Sequence, residues 1–281
     1  MTTRAEAIAL AAARLAGAGV PEPERDARLL YRWAAGMEGA SLQGALQDPA
    51  RAAELAKFDR AIEAREHRKP VSQIVGFREF WGQRFSVSPA VLDPRPDSEA
   101  LIEAVLNAKS ARVLDLGTGS GCLLLTLLAE WPNATGVGVD CSAAALEVAG
   151  RNAEALDLRA RATFLQSDWF EAVEGEFDLI VANPPYLSAQ ELLDAPPELA
   201  HEPEGALSPG GDGLDAYRQI LAGVGRHLTA NGRIALEIGA NQAADVAALA
   251  GKASLDMIRI LQDLNGRDRV ILAENKGKNR R

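Results

Sequence analysis

The spacing of apolar residues predicts only helices over residues 1–69. Apolar side chains recur there every three or four positions, which is the repeat of an amphipathic helix. Thr3 and Glu6 form the pattern of a capping box for the first helix, and Asp48 is placed to cap the third. The three helices are expected to begin at Thr3, Pro23 and Pro49 and to end before Gly17, Gly36 and Pro70. We expect residues 1–70 to form a small helical domain.

The pattern changes to that of paired strands over residues 71–97. Residues 77–81 and 84–87 carry aromatic and β-branched side chains, and Gly82-Gln83 between them predicts a tight hairpin turn. Two prolines then stiffen residues 93–97. Because a helix is expected to begin at Ser98, we interpret residues 71–97 as a bridge between two domains.

From residue 112 onwards, strand patterns alternate with helix patterns. This alternation predicts an α/β fold with a doubly wound, mostly parallel seven-stranded sheet and helices on both faces. Five strands are expected at 112–116, 136–139, 163–166, 177–182 and 233–238, with a closing hairpin at 255–261 and 269–273. Helices are expected at 122–130, 142–156, 214–228 and 241–249. The catalytic domain would span residues 98–275, followed by a basic tail at 276–281.

The composition is that of an ordinary soluble protein with an acidic C-terminal part. Residues 1–75 hold 11 basic and 10 acidic residues, whereas residues 76–281 hold 19 and 29. This excess of acid argues against a duplex nucleic acid held there by its phosphates, so no sequence-specific nucleic-acid binding is expected. No apolar run has the length of a membrane span and no signal-peptide pattern is present, which indicates a cytoplasmic protein.

The few cysteine and histidine residues do not form a metal-binding pattern. Cys122 and Cys141 fit a reducing compartment, and the three histidines are scattered along the chain. We expect no disulfide and no metal. Both cysteines are interpreted as small packing residues.

The first candidate site follows the predicted strand 177–182. Asn183 would stand at the end of this strand, its amide offering one acceptor oxygen and two donor hydrogens. Pro184 and Pro185 hold the backbone extended, and Tyr186 supplies a flat ring. This segment is suited to hold a planar –NH2 group. The alternative interpretation is a strand followed by a simple proline turn.

The second candidate site follows three other predicted strands and is typical of a nucleotide-like cofactor. Its residues are Asp115, Gly117, Thr118, Gly119, Ser120 and Gly121 in a glycine-rich turn, then Asp140, then Asp168 and Trp169. The G-x-G-x-G spacing differs from the dinucleotide pattern G-x-G-x-x-G and favours a cofactor without phosphates. Asp140 could bind ribose hydroxyls. The alternatives are a helix N-cap for Asp140 and a core aromatic residue for Trp169.

With these motifs, the chain resembles the class I S-adenosylmethionine-dependent methyltransferases and, more narrowly, the release factor glutamine N5-methyltransferases of the PrmC/HemK family. The resemblance also rests on residues 76–82, 94–99, 202–203, 213–217 and 265–269. Two positions depart from the family pattern: Asp93 replaces a usual aliphatic residue, and Ser98 replaces a usual threonine.

The resemblance implies an S-adenosyl-L-methionine cofactor, and peptide chain release factors as the protein substrate. The glutamine of their Gly-Gly-Gln motif would be methylated on its amide nitrogen, and the helical domain would dock the release factor. Asn183, Pro184, Pro185 and Tyr186 would form the catalytic segment, with Asn183 also contacting the cofactor.

Three other functions stay open from the residues alone. A ribosomal protein could supply the glutamine. The same tetrapeptide would also suit the exocyclic amine of adenine (N6) or guanine (N2) in a nucleic acid. A nucleotide-binding module without catalysis is the third, although a binder has no need of residues 183–186.

Overall fold

A computed structural model describes residues 2–37 and 39–275 of the chain. The predicted basic tail, residues 276–281, lies outside the described residues. The chain divides into two compact units: Met1–Phe77 with Pro196–His201, and Arg78–Ala195 with Glu202–Arg281. The predicted domain boundaries at residues 70 and 97 stay predictions.

The first unit consists of helices, as its apolar spacing predicts. They are α1 (Arg4–Gly17), α2 (Pro23–Ala35), α3 (Gly39–Gly44), α4 (Ala52–Glu66) and α5 (Val71–Val75). The capping box of Thr3 and Glu6 is confirmed at the start of α1. Tyr31 and Phe58 meet edge to face in the core, with ring centroids 4.9 Å apart. The short helices α3 and α5 were not predicted.

The predicted start of the third long helix at Pro49 is wrong, because α4 begins at Ala52. Pro49 instead pairs with Thr3 in an isolated β-bridge, and the backbone nitrogen of Ala50 donates to the carbonyl of Thr2. The Glu54 side chain accepts from the backbone nitrogen of Arg51. Residues 49–51 therefore bind the N-terminal segment. The preference of proline for the first turn of a helix gives no indication of these contacts.

Residues 196–201 fold with the helical unit although they follow it by more than a hundred positions. Arg65 Nη2 donates to Glu198 Oε1 at 3.0 Å, and Arg68 donates to both oxygens of Glu198 at 2.9 and 2.8 Å. Gln73 Nε2 donates to the carbonyl of His201 at 2.8 Å. Burial alone would raise the pKa of Glu198, but the hydrogen bonds from the two arginines outweigh it and lower this pKa.

The second unit contains a hairpin and a large sheet. The hairpin joins β1 (Phe77–Phe80) to β2 (Gln83–Ser86), so its turn is Trp81-Gly82 and not the predicted Gly82-Gln83. Trp81 has φ +50° and Gly82 φ +71°. Positive φ at both central residues is the requirement of a type I′ hairpin turn, and the turn lies one residue earlier than expected.

The large sheet confirms the predicted α/β fold. Its strands are β3 (Arg112–Leu116), β4 (Thr135–Asp140), β5 (Ala162–Gln166), β6 (Phe177–Ala182), β7 (Leu228–Glu237), β8 (Leu255–Gln262) and β9 (Asp268–Asn275). They lie in the order β5-β4-β3-β6-β7-β9-β8. Strands β3 to β7 are parallel to one another, and β9 runs antiparallel to both β7 and β8.

Helices cover both faces of this sheet and bury two separate apolar cores. The long helices are α6 (Glu99–Leu106), α7 (Cys122–Glu130), α8 (Ala143–Ala155), α11 (Asp215–Gly223) and α12 (Ala243–Lys252), and the short ones are α9 (Ala189–Leu193) and α10 (Glu204–Leu207). Helices α6 and α7 bury Leu101 and Leu124 in one core. Helices α11 and α12 bury Ile220 and Val246 in the other. Among the described residues, no helix is long and apolar enough to cross a lipid bilayer.

One predicted boundary in the sheet is wrong. The helix expected over residues 214–228 ends at Gly223, and Leu228 already belongs to β7, which was expected to begin at residue 233. Leu228 pairs with Phe177 and Arg233 pairs with Leu179, so the extra residues of this irregular register lie in β7. The long β7 thus depends on a local strand irregularity, which periodicity does not reveal.

We predict that Glu198→Ala lowers the free energy of unfolding by about 2 kcal/mol, because it removes charged hydrogen bonds to two arginines that are mostly shielded from water. Urea unfolding followed by circular dichroism measures this change. Glu63→Ala is the matched control, since Glu63 is exposed on α4 of the same unit. Equal stability of the two variants would show that the Glu198 ion pairs add nothing.

Candidate active site

The carboxyl ends of four parallel strands border one cavity of about 230 Å³ in the second unit. Strands β5, β4, β3 and β6 are neighbours in the sheet, so the residues that follow them meet at one edge. Nine predicted site residues line the cavity: Gly117, Thr118, Gly119, Ser120, Asp140, Asp168, Trp169, Asn183 and Pro185. Four others do not belong to its lining: Asp115, Gly121, Pro184 and Tyr186.

The glycine-rich turn after β3 is held by hydrogen bonds from its own residues. Thr118 donates through its backbone nitrogen to the carbonyl of Val139 at 2.8 Å and through its hydroxyl to Asp115 Oδ2 at 2.7 Å. Gly121 begins α7 with φ +80°, and a Cβ there would lie 3.0 Å from Leu125 Cδ1. Only glycine suits both the conformation and the space at this position. The turn is therefore rigid before any ligand arrives.

Asp115 supports the turn from below and does not face the cavity. Its side chain is buried, and burial raises its pKa to about 7, although the hydrogen bond from Thr118 opposes this rise. Asp115 Oδ1 has no hydrogen-bond partner among the described residues. The predicted cofactor contact of Asp115 stays a prediction.

Asp140 ties the glycine-rich turn to the end of β4. Its Oδ2 accepts from the backbone nitrogen of Gly119 at 3.0 Å, and its Oδ1 accepts from that of Ser142 at 2.9 Å. Ser142 is itself the N-cap of α8, since its hydroxyl accepts from Ala145. Asp140 is thus not the helix N-cap. Each carboxylate oxygen keeps a lone pair, and the residue lines the cavity.

Asp168 and Trp169 form the wall that follows β5. Asp168 is exposed at the cavity. Trp169 has φ +44°, a strained conformation for a large residue, and Ser167 holds it by donating to the Trp169 carbonyl at 3.0 Å. Its ring also contacts the apolar core of α11 and α12. Trp169 therefore contributes both to that core and to the cavity wall.

Asn183 follows the last residue of β6 and is half-buried beside the cavity. Its Nδ2 donates to Ser98 Oγ at 3.2 Å. Pro185 lines the cavity, whereas Pro184 is buried behind it. Asn183 therefore places a side-chain amide at the cavity edge, in contact with Ser98.

Tyr186 is held by residues that the sequence analysis missed. Gln242 Nε2 donates to the Tyr186 carbonyl at 2.9 Å, and Gln242 Oε1 accepts from the backbone nitrogen of Gly239 at 3.0 Å. A Cβ at Gly213 would lie 2.4 Å from the Tyr186 carbonyl oxygen. Burial raises the pKa of Tyr186 to about 12, so its hydroxyl stays protonated. Gln242 follows a strand end, as the predicted site residues do, and that position was the available signal.

A second wall of the cavity was also missed. It comes from the bridge, from Ser98, and from residues before and within α10: Ala90, Val91, Leu92, Pro94, Arg95, Ser98, Pro203, Gly205 and Ala206. Arg95 donates to Glu202, whose other oxygen accepts from the backbone nitrogen of Asp93 at 3.2 Å. Several of these residues lie in the segments 94–99 and 202–203 that the resemblance uses. The sequence shows these motifs, but it does not show that they lie at the cavity.

The two cysteines line the cavity as free thiols. Burial raises the pKa of Cys122 to about 12 and also raises that of Cys141. Neither thiol is activated as a nucleophile. Within residues 2–37 and 39–275, no group of three or more His, Cys, Asp or Glu side chains is placed to hold a metal ion.

Two family models match the chain. Residues 6–76 match the PrmC N-terminal domain, and residues 88–214 match the methyltransferase small domain. A release factor glutamine methyltransferase of Cereibacter sphaeroides is 51% identical over 270 residues, covering 96% of this chain and 97% of that protein. The chain belongs to the release factor glutamine methyltransferase family.

Other relatives of this family agree over most of their length. The release factor glutamine methyltransferase of Rhodospirillum rubrum is 45% identical over 94% of this chain and 82% of its own.

A solved structure of an N2 methyltransferase of 16S rRNA from T. thermophilus, in complex with AdoMet and guanosine, has a TM-score of 0.53 at 24% identity. It covers 71% of this chain and 49% of that chain. This structural likeness supports the fold alone.

We predict that Asp115→Asn weakens the pH dependence of stability in this methyltransferase. The ordinary pKa of an aspartate is 3.8, whereas that of Asp115 in the folded chain is about 7. Between these values the unfolded chain loses a proton that the folded chain keeps, so wild-type stability falls as pH rises. The loss between pH 5 and pH 8 should be smaller in the variant by about 2 kcal/mol.

Urea unfolding at both pH values tests this prediction. Glu147→Gln is the control, because Glu147 is exposed on α8. Parallel pH dependence of the wild type and Asp115→Asn would contradict the prediction.

Proposed function

We propose that this protein methylates the side-chain amide nitrogen (N5) of the glutamine in the Gly-Gly-Gln motif of peptide chain release factors. S-adenosyl-L-methionine is the methyl donor in this proposal. The observation that carries it is Asn183, whose side-chain amide lies at the edge of the cavity and contacts Ser98. Membership of the release factor glutamine methyltransferase family supports the choice of substrate.

The residues around the cavity fit this cofactor. Asp140 has acceptor lone pairs for two ribose hydroxyls, Asp168 can accept from the adenine amine, and the Trp169 ring offers a face for the base. The glycine-rich turn admits close approach of the amino-acid end of the cofactor. The acidic lining also suits a ligand with a cationic sulfonium. When bound, S-adenosylmethionine supplies an electrophilic methyl group.

Asn183 would prepare the amide of the substrate glutamine for attack. An amide nitrogen is a poor nucleophile because its lone pair is delocalised into the carbonyl. Since Nδ2 of Asn183 is bound to Ser98, its Oδ1 can accept one of the two hydrogens of the substrate amide. The carbonyl of Pro184 is the proposed acceptor of the other. Two such acceptors would orient the nitrogen and stabilise positive charge as it develops.

The helical unit is the proposed docking site for the release factor. Its residues match the PrmC N-terminal domain. It also contains residues 196–201, which follow the Asn183–Tyr186 segment by ten positions. A helical unit attached to this loop could bring a large protein substrate to the catalytic segment.

We predict that Asn183→Ala lowers kcat for methyl transfer at least 100-fold, because the acceptor that orients the amide is lost. The affinity for S-adenosylmethionine, measured by calorimetry, should change less than about five-fold. Near-normal turnover by this variant would remove Asn183 from the proposed role.

We predict the opposite pattern for Asp140→Ala. The affinity for S-adenosylmethionine should fall at least ten-fold, because the ribose acceptor is lost and the Gly119 backbone nitrogen loses its partner. Glu147→Gln serves again as the exposed control. Unchanged cofactor affinity in Asp140→Ala would contradict the assignment of this carboxylate.

The substrate itself is tested with labelled S-adenosylmethionine. The purified enzyme is offered a release factor, ribosomal proteins and DNA in parallel, and the label is mapped by mass spectrometry. We expect label on the glutamine of the Gly-Gly-Gln motif. Label on a ribosomal-protein glutamine or on a DNA base, with none on the release factor, would overturn the proposed substrate, and cofactor binding without any transfer would favour a non-catalytic module.

A further inference from the structure

Ser98, one of the two departures from the family pattern, contacts the proposed catalytic amide. It ends the turn Pro96–Ser98 before α6 and is only 2% exposed. Its hydroxyl oxygen accepts from Asn183 Nδ2 at 3.2 Å, and Ser98 also lines the cavity.

A serine hydroxyl alone cannot decide which way an asparagine amide faces. The hydroxyl both donates and accepts, so it could pair equally with Nδ2 or with Oδ1 of Asn183. The two orientations have opposite consequences for the substrate. With Oδ1 towards the cavity Asn183 can accept a hydrogen from an amide substrate, whereas with Nδ2 there two donors would face each other.

Glu237 can remove this ambiguity. It is the last residue of β7. The residue before it, Leu236, pairs with Ala182, which is the residue before Asn183, so Glu237 and Asn183 each come directly after one member of this pair. Glu237 is fully buried, and neither carboxylate oxygen is in full hydrogen-bonding geometry with a donor among the described residues. Burial raises the pKa of Glu237 to about 7, while the nearby Ser98 hydroxyl and the charge of Arg269 oppose this rise.

Arg269 ties together the two elements that carry Ser98 and Glu237. Its Nη2 lies 3.1 Å from Asp97 Oδ2, beside Ser98 in the chain. Its Nη1 donates to the carbonyl of Ile238 at 3.1 Å, directly after Glu237. The turn before α6 and the end of β7 are therefore held by one buried guanidinium, which keeps the Ser98 hydroxyl near the carboxylate.

We propose that Ser98 and Glu237 are positioning residues that set the orientation of the Asn183 amide. An ionised carboxylate can only accept a hydrogen bond, so the Ser98 hydroxyl donates its one hydrogen bond to Glu237. Ser98 is then left as an acceptor and binds Nδ2, which directs Asn183 Oδ1 to the amide that is methylated. This inference rests on the proposed function for its account of turnover.

The kinetic test compares Ser98→Ala, Ser98→Thr and Glu237→Gln at pH 8.5, with release factor and S-adenosylmethionine as substrates. Ser98→Ala should lower kcat about 10-fold to 100-fold, while KM for the release factor and Kd for the cofactor change less than about two-fold. Ser98→Thr keeps the hydroxyl and should keep kcat within about three-fold. Glu237→Gln, which can donate as well as accept, should lower kcat without changing cofactor binding.

A matched control and a double variant distinguish positioning of the Asn183 amide from a merely structural role of Ser98. Ser110→Ala also removes a buried hydroxyl, but one that donates to the carbonyl of Ala108 before the amino end of β3, and it should leave kcat unchanged. Ser98→Ala should cause no further loss when Asn183 is already alanine, because both act through one amide. Wild-type kcat in Ser98→Ala, or fully additive losses in the double variant, would overturn the inference.

The orientation can also be observed without any methyl transfer. In 15N-labelled enzyme, the Asn183 side-chain amide is assigned by its absence in Asn183→Ala, and the exchange of its two protons with water is measured. One proton should be protected in the wild type and in Ser98→Thr and lose protection in Ser98→Ala. Equal exchange in all three would contradict the inference even if the enzyme is active. Protection as expected, with no methylation of release factor, would overturn only the proposed function.

Discussion

The site of this protein depends on one constraint of parallel strands: their carboxyl ends, and the residues that follow them, meet at the same edge of the sheet. Strands β5, β4, β3 and β6 are neighbours there. Asp168, Asp140, the glycine-rich turn and Asn183 are thereby brought around one cavity although they are spread over residues 117–183. The proposed cofactor residues and the amide segment are thus placed by the same sheet.

The polar groups beneath this edge set the orientation of the groups that face the cavity. Asp115 holds the Thr118 hydroxyl, Asp140 holds the backbone of Gly119, and Ser98 holds the amide of Asn183. Asp115 and Ser98 are buried, and an unsatisfied hydrogen-bonding partner costs more in a buried position than at the surface. Rigid polar groups need no rearrangement during a reaction, which is the condition for electrostatic stabilisation of a transition state.

The segment Asn183–Tyr186 is also supported from the side of β7. Gln242 binds the carbonyl of Tyr186, and Gly213 leaves the space in which that carbonyl lies. Further along the same loop, Glu198 is held by two arginines of the helical unit. The stretch between β6 and β7 therefore includes residues that fold with each of the two units.

The sequence by itself determined the alternation of strands and helices and the acidic character of the second unit. It also determined which polar residues and glycines follow the parallel strands. Strands β3 and β6 and helix α7 have their predicted bounds because continuous apolar runs end there at glycine, asparagine or acidic residues. Local patterns did not place Pro49 or the start of β7, since each depends on a partner distant in sequence, and they placed the hairpin turn one residue too late. Only the tertiary structure decided that Ser98, Glu237 and Gln242 lie around residues 183–186, because hydrogen bonds between residues far apart leave no periodic signal in the chain.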